Sequence, residues 1–117
     1  MAQPSDPTAL IPLKPVVFQI MLSLSVGELH GYAIVKEVES RMEGGKKILP
    51  GNLYRTLRHL LDQGLIEESK RRPDPSLDDE RRRYFRLTSF GSRVARAEAN
   101  RLERVVLEAR AKNMLSA

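Results

Sequence analysis

Two short apolar runs, residues 65–69 and 82–87, are separated by a tract that regular structure cannot cross. Residues 70–83 include Pro73 and Pro75 among many charges. Proline lacks the amide donor that helices and inner strands require, so this stretch reads as an extended loop. The two runs then become the strands of one hairpin. Its loop is basic at both shoulders (Lys70, Arg71, Arg72 and Arg81, Arg82, Arg83) and acidic at the tip (Asp74, Asp78, Asp79, Glu80).

Helical patterns stand on either side. Residues 1–12 carry Pro4, Pro7, Ser5, Asp6 and Thr8 and read as a frayed tail. Pro12 and Pro15 then bracket a helix over 15–25, where Val17, Ile20, Met21 and Leu24 recur at helical spacing. Gly27 ends it. A second helix is expected over 31–42, with Tyr32, Ile34, Val35 and Val38 inward and Lys36, Glu37, Glu39 and Arg41 in water. Gly44 and Gly45 break it, and Ile48 and Leu49 suggest a short strand.

The third helix is expected over 50–63, with Gly64 as its stop. Leu53, Leu57, Leu60 and Leu61 form one stripe. At about 100° per residue, the opposite face centres near Arg55 and Asp62, flanked by Asn52, Arg58 and His59. After the hairpin, Thr88 is placed to cap a helix over 89–114, although glycine at position 91 denies it a full capping box. Ala95, Ala99, Leu102, Val106 and Ala109 follow a heptad-like pattern along it.

Three helices, a hairpin and a long helix make the plan of a winged helix-turn-helix. The fold is mainly α, within α+β. Three segments follow: a tail over 1–12, a DNA-binding domain over 13–88, and a C-terminal dimerisation helix over 89–117. In this plan the third helix enters the major groove, where base edges can be read. The wing's arginines reach phosphates or the adjacent minor groove. Charge agrees with such a partner. The 117 residues carry 20 Lys and Arg against 15 Asp and Glu, a formal +5.

Other chemistries find little purchase. With no cysteine there are no disulfides and no thiolate metal sites or nucleophiles, which fits a reducing cytoplasm. His30 and His59 are the only histidines, so neither a metal nor a cofactor is expected. His30 reads instead as a group satisfying a helix start. Lys46 and Lys47 after two glycines lack the spacing of a phosphate-binding loop. No serine, histidine and carboxylate fall into a catalytic motif, so an enzyme is not expected. The apolar run 16–26 is too short to cross a bilayer, and no cleavage site follows it.

The same residues carry a family resemblance. Leu29-His30-Gly31-Tyr32 opens the second helix, and Pro50-Gly51-Asn52-Leu53-Tyr54-Arg55-Thr56-Leu57 opens the third. Gly64-Leu65-Ile66 closes the third, and Tyr84-Phe85-Arg86-Leu87-Thr88 with Gly91 ends the wing. In this order the four motifs resemble the PadR family of bacterial and archaeal regulators, over about residues 13–92. The resemblance implies a homodimer joined largely through the C-terminal helix. It also implies repression of nearby genes, in some members relieved by a small molecule, though no effector is named by this sequence. It places Tyr54 and the exposed residues of the third helix at the DNA. Phe85 stands where the family often has tyrosine, and no tryptophan is present to build an aromatic inducer pocket.

The DNA-contact set is therefore Asn52, Tyr54, Arg55 and Arg58 on the helix, with Arg71, Arg72, Arg81 and Arg82 on the wing. The dimerisation set is Ala95, Ala99, Leu102, Val106 and Ala109. Plainer readings stand beside these. Helix arginines are often only a solvated face, and Asp62 on that face opposes a uniformly DNA-bound surface. Tyr54 can be a half-buried core residue while its hydroxyl meets a phosphate. The wing arginines can pair with the wing's own acids, and the last helix can pack on its own domain. Two other functions compete with DNA reading: a winged-helix module that binds proteins, and a membrane-surface protein using the arginine-rich last helix. The second is disfavoured by that helix's alanine-rich apolar face.

Overall fold

The computed structural model describes residues 6–42, 50–70 and 83–115. Its elements are a 3-10 turn Pro7–Leu10, α1 Pro15–Leu24, β1 Leu29–His30, α2 Gly31–Arg41, α3 Pro50–Asp62, β2 Ile66–Glu68, β3 Tyr84–Leu87 and α4 Ser89–Ala111. The expected order is present, with helix ends shifted by one to three residues. The strand suggested at Ile48 and Leu49 lies outside the described residues.

The ends of α3 and α4 are set by identifiable chemistry. Gly64 takes φ 74°, which an L side chain resists. Its amide donates to the Leu61 carbonyl, and the Leu65 amide donates to the Leu60 carbonyl. This pairing satisfies the last carbonyls of α3 and turns the chain into β2. Asn113, at φ 61°, does the same for α4, with the Met114 amide donating to the Ala109 carbonyl at 2.9 Å. Asparagine tolerates that conformation better than most side chains, so α4 stops short of Met114.

The helix starts are equally specific. His30 caps α2 by accepting the Ala33 amide at Nδ1, 3.0 Å away. Its ring also meets Tyr84 edge-on at 5.4 Å between centroids. Thr88 caps α4 by accepting the Gly91 amide at 2.9 Å, while its own hydroxyl donates to the Gly64 carbonyl at 2.6 Å. One threonine thus starts α4 and fastens it to the end of α3. Gly91 is needed there, since a Cβ would collide with the Leu65 carbonyl oxygen.

The sheet has one more strand than the hairpin. β3 pairs antiparallel with β2 (Ile66 opposite Leu87, Glu68 opposite Phe85) and with β1 (Leu29 opposite Phe85, His30 opposite Tyr84). The order is β1-β3-β2. β1 lies just before α2, so the sheet locks the helix-turn-helix to the base of the wing.

The core sits where the stripes converge. Val17, Ile20, Met21 and Leu24 of α1 meet Ile34 and Val38 of α2, Leu53, Leu57 and Leu60 of α3, then Leu65, Ile66, Phe85 and Val94. Tyr32, expected inward, is instead exposed and lies beneath the Lys36 ammonium, 5.3 Å from its ring centre. Arg41 ties α2 to α1, with its guanidinium donating to the Gln19 side chain and carbonyl and to the buried Ser23 hydroxyl.

The segment read as a frayed tail is structured from Asp6 onward. Asp6 accepts the Thr8 hydroxyl and amide, which hold its carboxyl below the usual range. Leu10, Ile11 and Leu13 then pack against the core. The Leu13 amide donates to Oε2 of Glu98 on α4 at 3.0 Å. Glu98 is only 1% exposed and is gripped by Arg101 at 2.6 and 3.0 Å. The Arg101 hydrogen bonds hold the Glu98 carboxyl below its ordinary range against the opposing effect of burial, and the Leu13 amide adds to them.

Candidate nucleic-acid interface

α3 is the most sharply amphipathic element. Leu53, Leu57 and Leu60 are buried, whereas Asn52, Arg55, Arg58, His59 and Asp62 are exposed. Neutral burial on one side and charge on the other leave a polar ridge, Asn52–Arg55–Asp62, standing clear of the core. The ridge has two distinct flanks. On one side, Tyr54 and Arg58 border a small cleft closed by Glu68, Arg83 and Phe85 at the base of the wing. On the other, Thr56, His59 and Gln63 face the N-terminal arm.

Tyr54 is half-buried against the core, as a packed ring with a polar tip requires. The wing base is stitched by the Ser69 amide donating to the Tyr84 carbonyl at 2.8 Å and by Arg86 donating to Glu67 at 3.1 Å. Arg83 Nε stands 3.8 Å from Glu68 Oε1. Of the expected contact set, Asn52, Tyr54, Arg55 and Arg58 thus share α3, with Tyr54 and Arg58 turned towards the wing. Arg71, Arg72, Arg81 and Arg82 lie outside the described residues.

The heptad residues of α4 divide into two groups. Ala95 and Ala99 border a groove of about 210 Å³ between α1 and α4, which also involves Phe18, Leu22 and Arg96. Farther on, every residue from Glu103 to Glu108 is exposed. Val105, Val106 and Leu107 are 55%, 44% and 56% exposed, and Leu22 on α1 is 43% exposed. The repeat in the sequence picks out Leu102, Val106 and Ala109 but passes over Leu22, Val105 and Leu107.

Among the described residues, no three His, Asp or Glu side chains converge as metal ligands. No described helix is long and apolar enough to cross a membrane.

Comparison with known proteins now decides the family. The model of the PadR-like family of transcriptional regulators matches residues 20–97. The chain belongs to the PadR-like family. Similar solved structures include a PadR-family transcription regulator from Clostridium difficile, at 21% identity and a TM-score of 0.69, covering 83% of this chain and 96% of that one. A PadR-family regulator from Eggerthella lenta is 27% identical, with a TM-score of 0.59 and coverage of 87% and 83%. RosR of H. salinarum is 28% identical, with a TM-score of 0.61 and coverage of 84% and 78%. No curated protein sequence matches the chain. A PadR-like protein of this architecture is a winged-helix, DNA-binding transcriptional regulator.

The sequence context of Lys14 does not mark it as a neighbour of α3. It precedes α1 as a single charge between Leu13 and Pro15. Only the fold-back of the arm brings it to the same cleft as Arg55 and His59, and no local pattern carries that information.

Proposed function

We propose that this PadR-like protein is a sequence-specific repressor that occupies a promoter as a homodimer. The observation that carries this reading is the exposed ridge of α3, where Asn52 and Arg55 stand out from a helix whose opposite face is buried. Asn52 and Arg55 read base edges, and Tyr54 and Arg58 hold flanking phosphates. Arg71, Arg72, Arg81 and Arg82 of the wing add sequence-independent phosphate contacts. The second copy is joined through the α1–α4 face, with Ala95, Ala99, Leu102, Val106 and Ala109 in the contact. Dimerisation suits the task, because one such module reads few bases while two read half-sites about 34 Å apart.

The test is fluorescence anisotropy on the duplex upstream of the protein's own gene, against a scrambled duplex, across a salt series. A specific repressor holds its own duplex far more tightly at physiological salt. Equal binding to both that collapses with salt would leave only charge attraction and favour a protein-binding role. Arg55→Ala is expected to weaken specific binding by about 1–3 kcal/mol and to relax selectivity at one base pair. Arg71→Ala and Arg82→Ala are expected to weaken binding to every sequence and to flatten the salt dependence.

A further inference from the structure

Lys14 is held at its backbone while its ammonium is left open. The amide just before it, that of Leu13, donates to Glu98 Oε2 at 3.0 Å. Its own carbonyl accepts the Phe18 amide at 3.1 Å as α1 begins. These bonds fix Lys14 at the cleft between the arm and α3, whose other wall carries Arg55, Thr56 and His59. Lys14, Arg55 and His59 are all exposed. No described carboxylate lines the cleft, and no described group pairs with these three side chains. Asp62 follows His59 by three positions on α3 but does not border the cleft.

We propose that Lys14 is a DNA-backbone contact outside the helix-turn-helix, sharing with His59 a phosphate at the arm-side edge of the groove, and that Glu98 positions it. The inference rests on the reading of α3 as the DNA-contacting helix. A helix lying in the major groove has a phosphate strand along each side. On the wing side of the ridge, α3 offers Arg58. On the arm side it offers Thr56, His59 and Gln63, none of which carries a permanent charge. Lys14 supplies that charge from another element. Its ammonium is a compact point charge suited to a phosphate, whereas base edges favour the planar fork of an arginine. Glu98 acts through the Leu13 amide. A lysine on a segment that must be ordered at the moment of binding loses affinity to that ordering. The buried carboxylate, itself gripped by Arg101, fixes the segment beforehand.

The test compares the salt dependence of binding on the protein's own upstream duplex and on the scrambled one. Lys14→Ala should lower affinity on both and flatten the slope of log affinity against log salt by about 0.9 for each half-site occupied. An unchanged slope overturns the contact. Single methylphosphonate substitutions along the duplex locate the phosphate. One position per half-site should weaken the wild type yet leave Lys14→Ala unaffected, and a scan without such a position also overturns the contact. His59→Ala should weaken both duplexes by roughly two- to tenfold, the yield of one hydrogen bond, and an unchanged affinity removes His59. For Glu98, Lys14→Ala is repeated in a Glu98→Gln background, with circular dichroism confirming the fold. A smaller loss than in the wild type supports positioning, and an equal loss overturns it. If Glu98→Gln does not fold, Lys14→Ala combined with Pro15→Lys asks whether placement matters. It keeps the net charge but moves the ammonium by one residue. Failure to restore the slope supports a placed contact, and full restoration overturns it. If the protein binds both duplexes equally while Lys14→Ala still flattens the slope, the sequence-specific reading fails and the Lys14 contact stands. Tight, selective binding that ignores Lys14→Ala leaves that reading intact and removes Lys14.

Discussion

Glu98 shows how one buried charge organises a surface far from it in sequence. Its carboxylate sits almost without solvent on α4, where a glutamate is ordinarily wet. Arg101 neutralises it and the Leu13 amide fills a further lone pair, so burial is offset and the arm is pinned. Because its carboxyl is held below the ordinary range, the sign of its pH effect follows. Its stabilisation is fully present above the unfolded glutamate value of about 4.3 and is lost as pH falls through the lower folded value. Glu98→Gln should be less stable than the wild type at pH 7 by about 1–3 kcal/mol. Chemical denaturation at successive pH values should show the gap narrowing in acid. An equal gap at pH 7 and pH 3 would separate Glu98 from this role. Gly91 makes a second residue-scale case. In the sequence it is only the absence of a capping glutamate, whereas in the fold it lets α4 approach the Leu65 carbonyl. Backbone cannot rotate away as a side chain can. Gly91→Ala should therefore destabilise by about 1–3 kcal/mol, read as a lowered midpoint in urea.

At the scale of elements, the helix stops follow from identifiable residues. Gly64 holds the αL position that ends α3, and Gly64→Ala should cost about 1 kcal/mol by thermal melting, from the strain of a Cβ at that φ. A neutral result would mean that the turn relaxes at no cost. The four helices were legible because each repeats apolar residues often enough to define a face, as Leu53, Leu57 and Leu60 do on α3. Its exposed ridge was legible for the same reason, being the complement of that stripe. β1 was not legible, since two residues, Leu29 and His30, cannot display alternation, and their pairing with Tyr84 and Phe85 is non-local. Nor was the arm. Pro4, Pro7 and their polar neighbours predict fraying, and what orders residues from Asp6 onward is local capping plus a carboxylate 85 positions away from Leu13. Tyr32 was misplaced because periodicity ranks it with Ile34 and Val38, although its position at the first turn of α2 leaves it beyond the core's edge.

The whole molecule is elongated, 55 × 38 × 22 Å. Beyond Leu102 the helix α4 has no core beneath it, yet it keeps Val105, Val106 and Leu107 exposed, and Met114 and Leu115 just after its end are exposed too. A short helical stretch gains little in water without tertiary packing, because nucleation and chain entropy oppose it. Burying each large aliphatic side chain contributes roughly 1.5–3 kcal/mol. A second copy of the same face, together with Leu22 and the α1–α4 groove, supplies that cover in the proposed homodimer. Paired copies then place two α3 ridges on one duplex, so that the second contact becomes effectively intramolecular. Val106→Glu puts a charge into the contact while leaving the buried core from Val17 to Val94 untouched. Sedimentation should report a dimer for the wild type and a monomer for the variant at the same micromolar concentration. Circular dichroism should show the globular part still folded. Affinity for a two-half-site duplex should fall by a factor on the order of 10²–10⁴, the usual yield of linked binding, while affinity for a single half-site changes little. A variant that remains dimeric would move the contact off this part of α4. A wild type that is monomeric yet reads its operator at full affinity would remove dimerisation from the mechanism and leave α3 and the wing of one copy to provide all of the specificity.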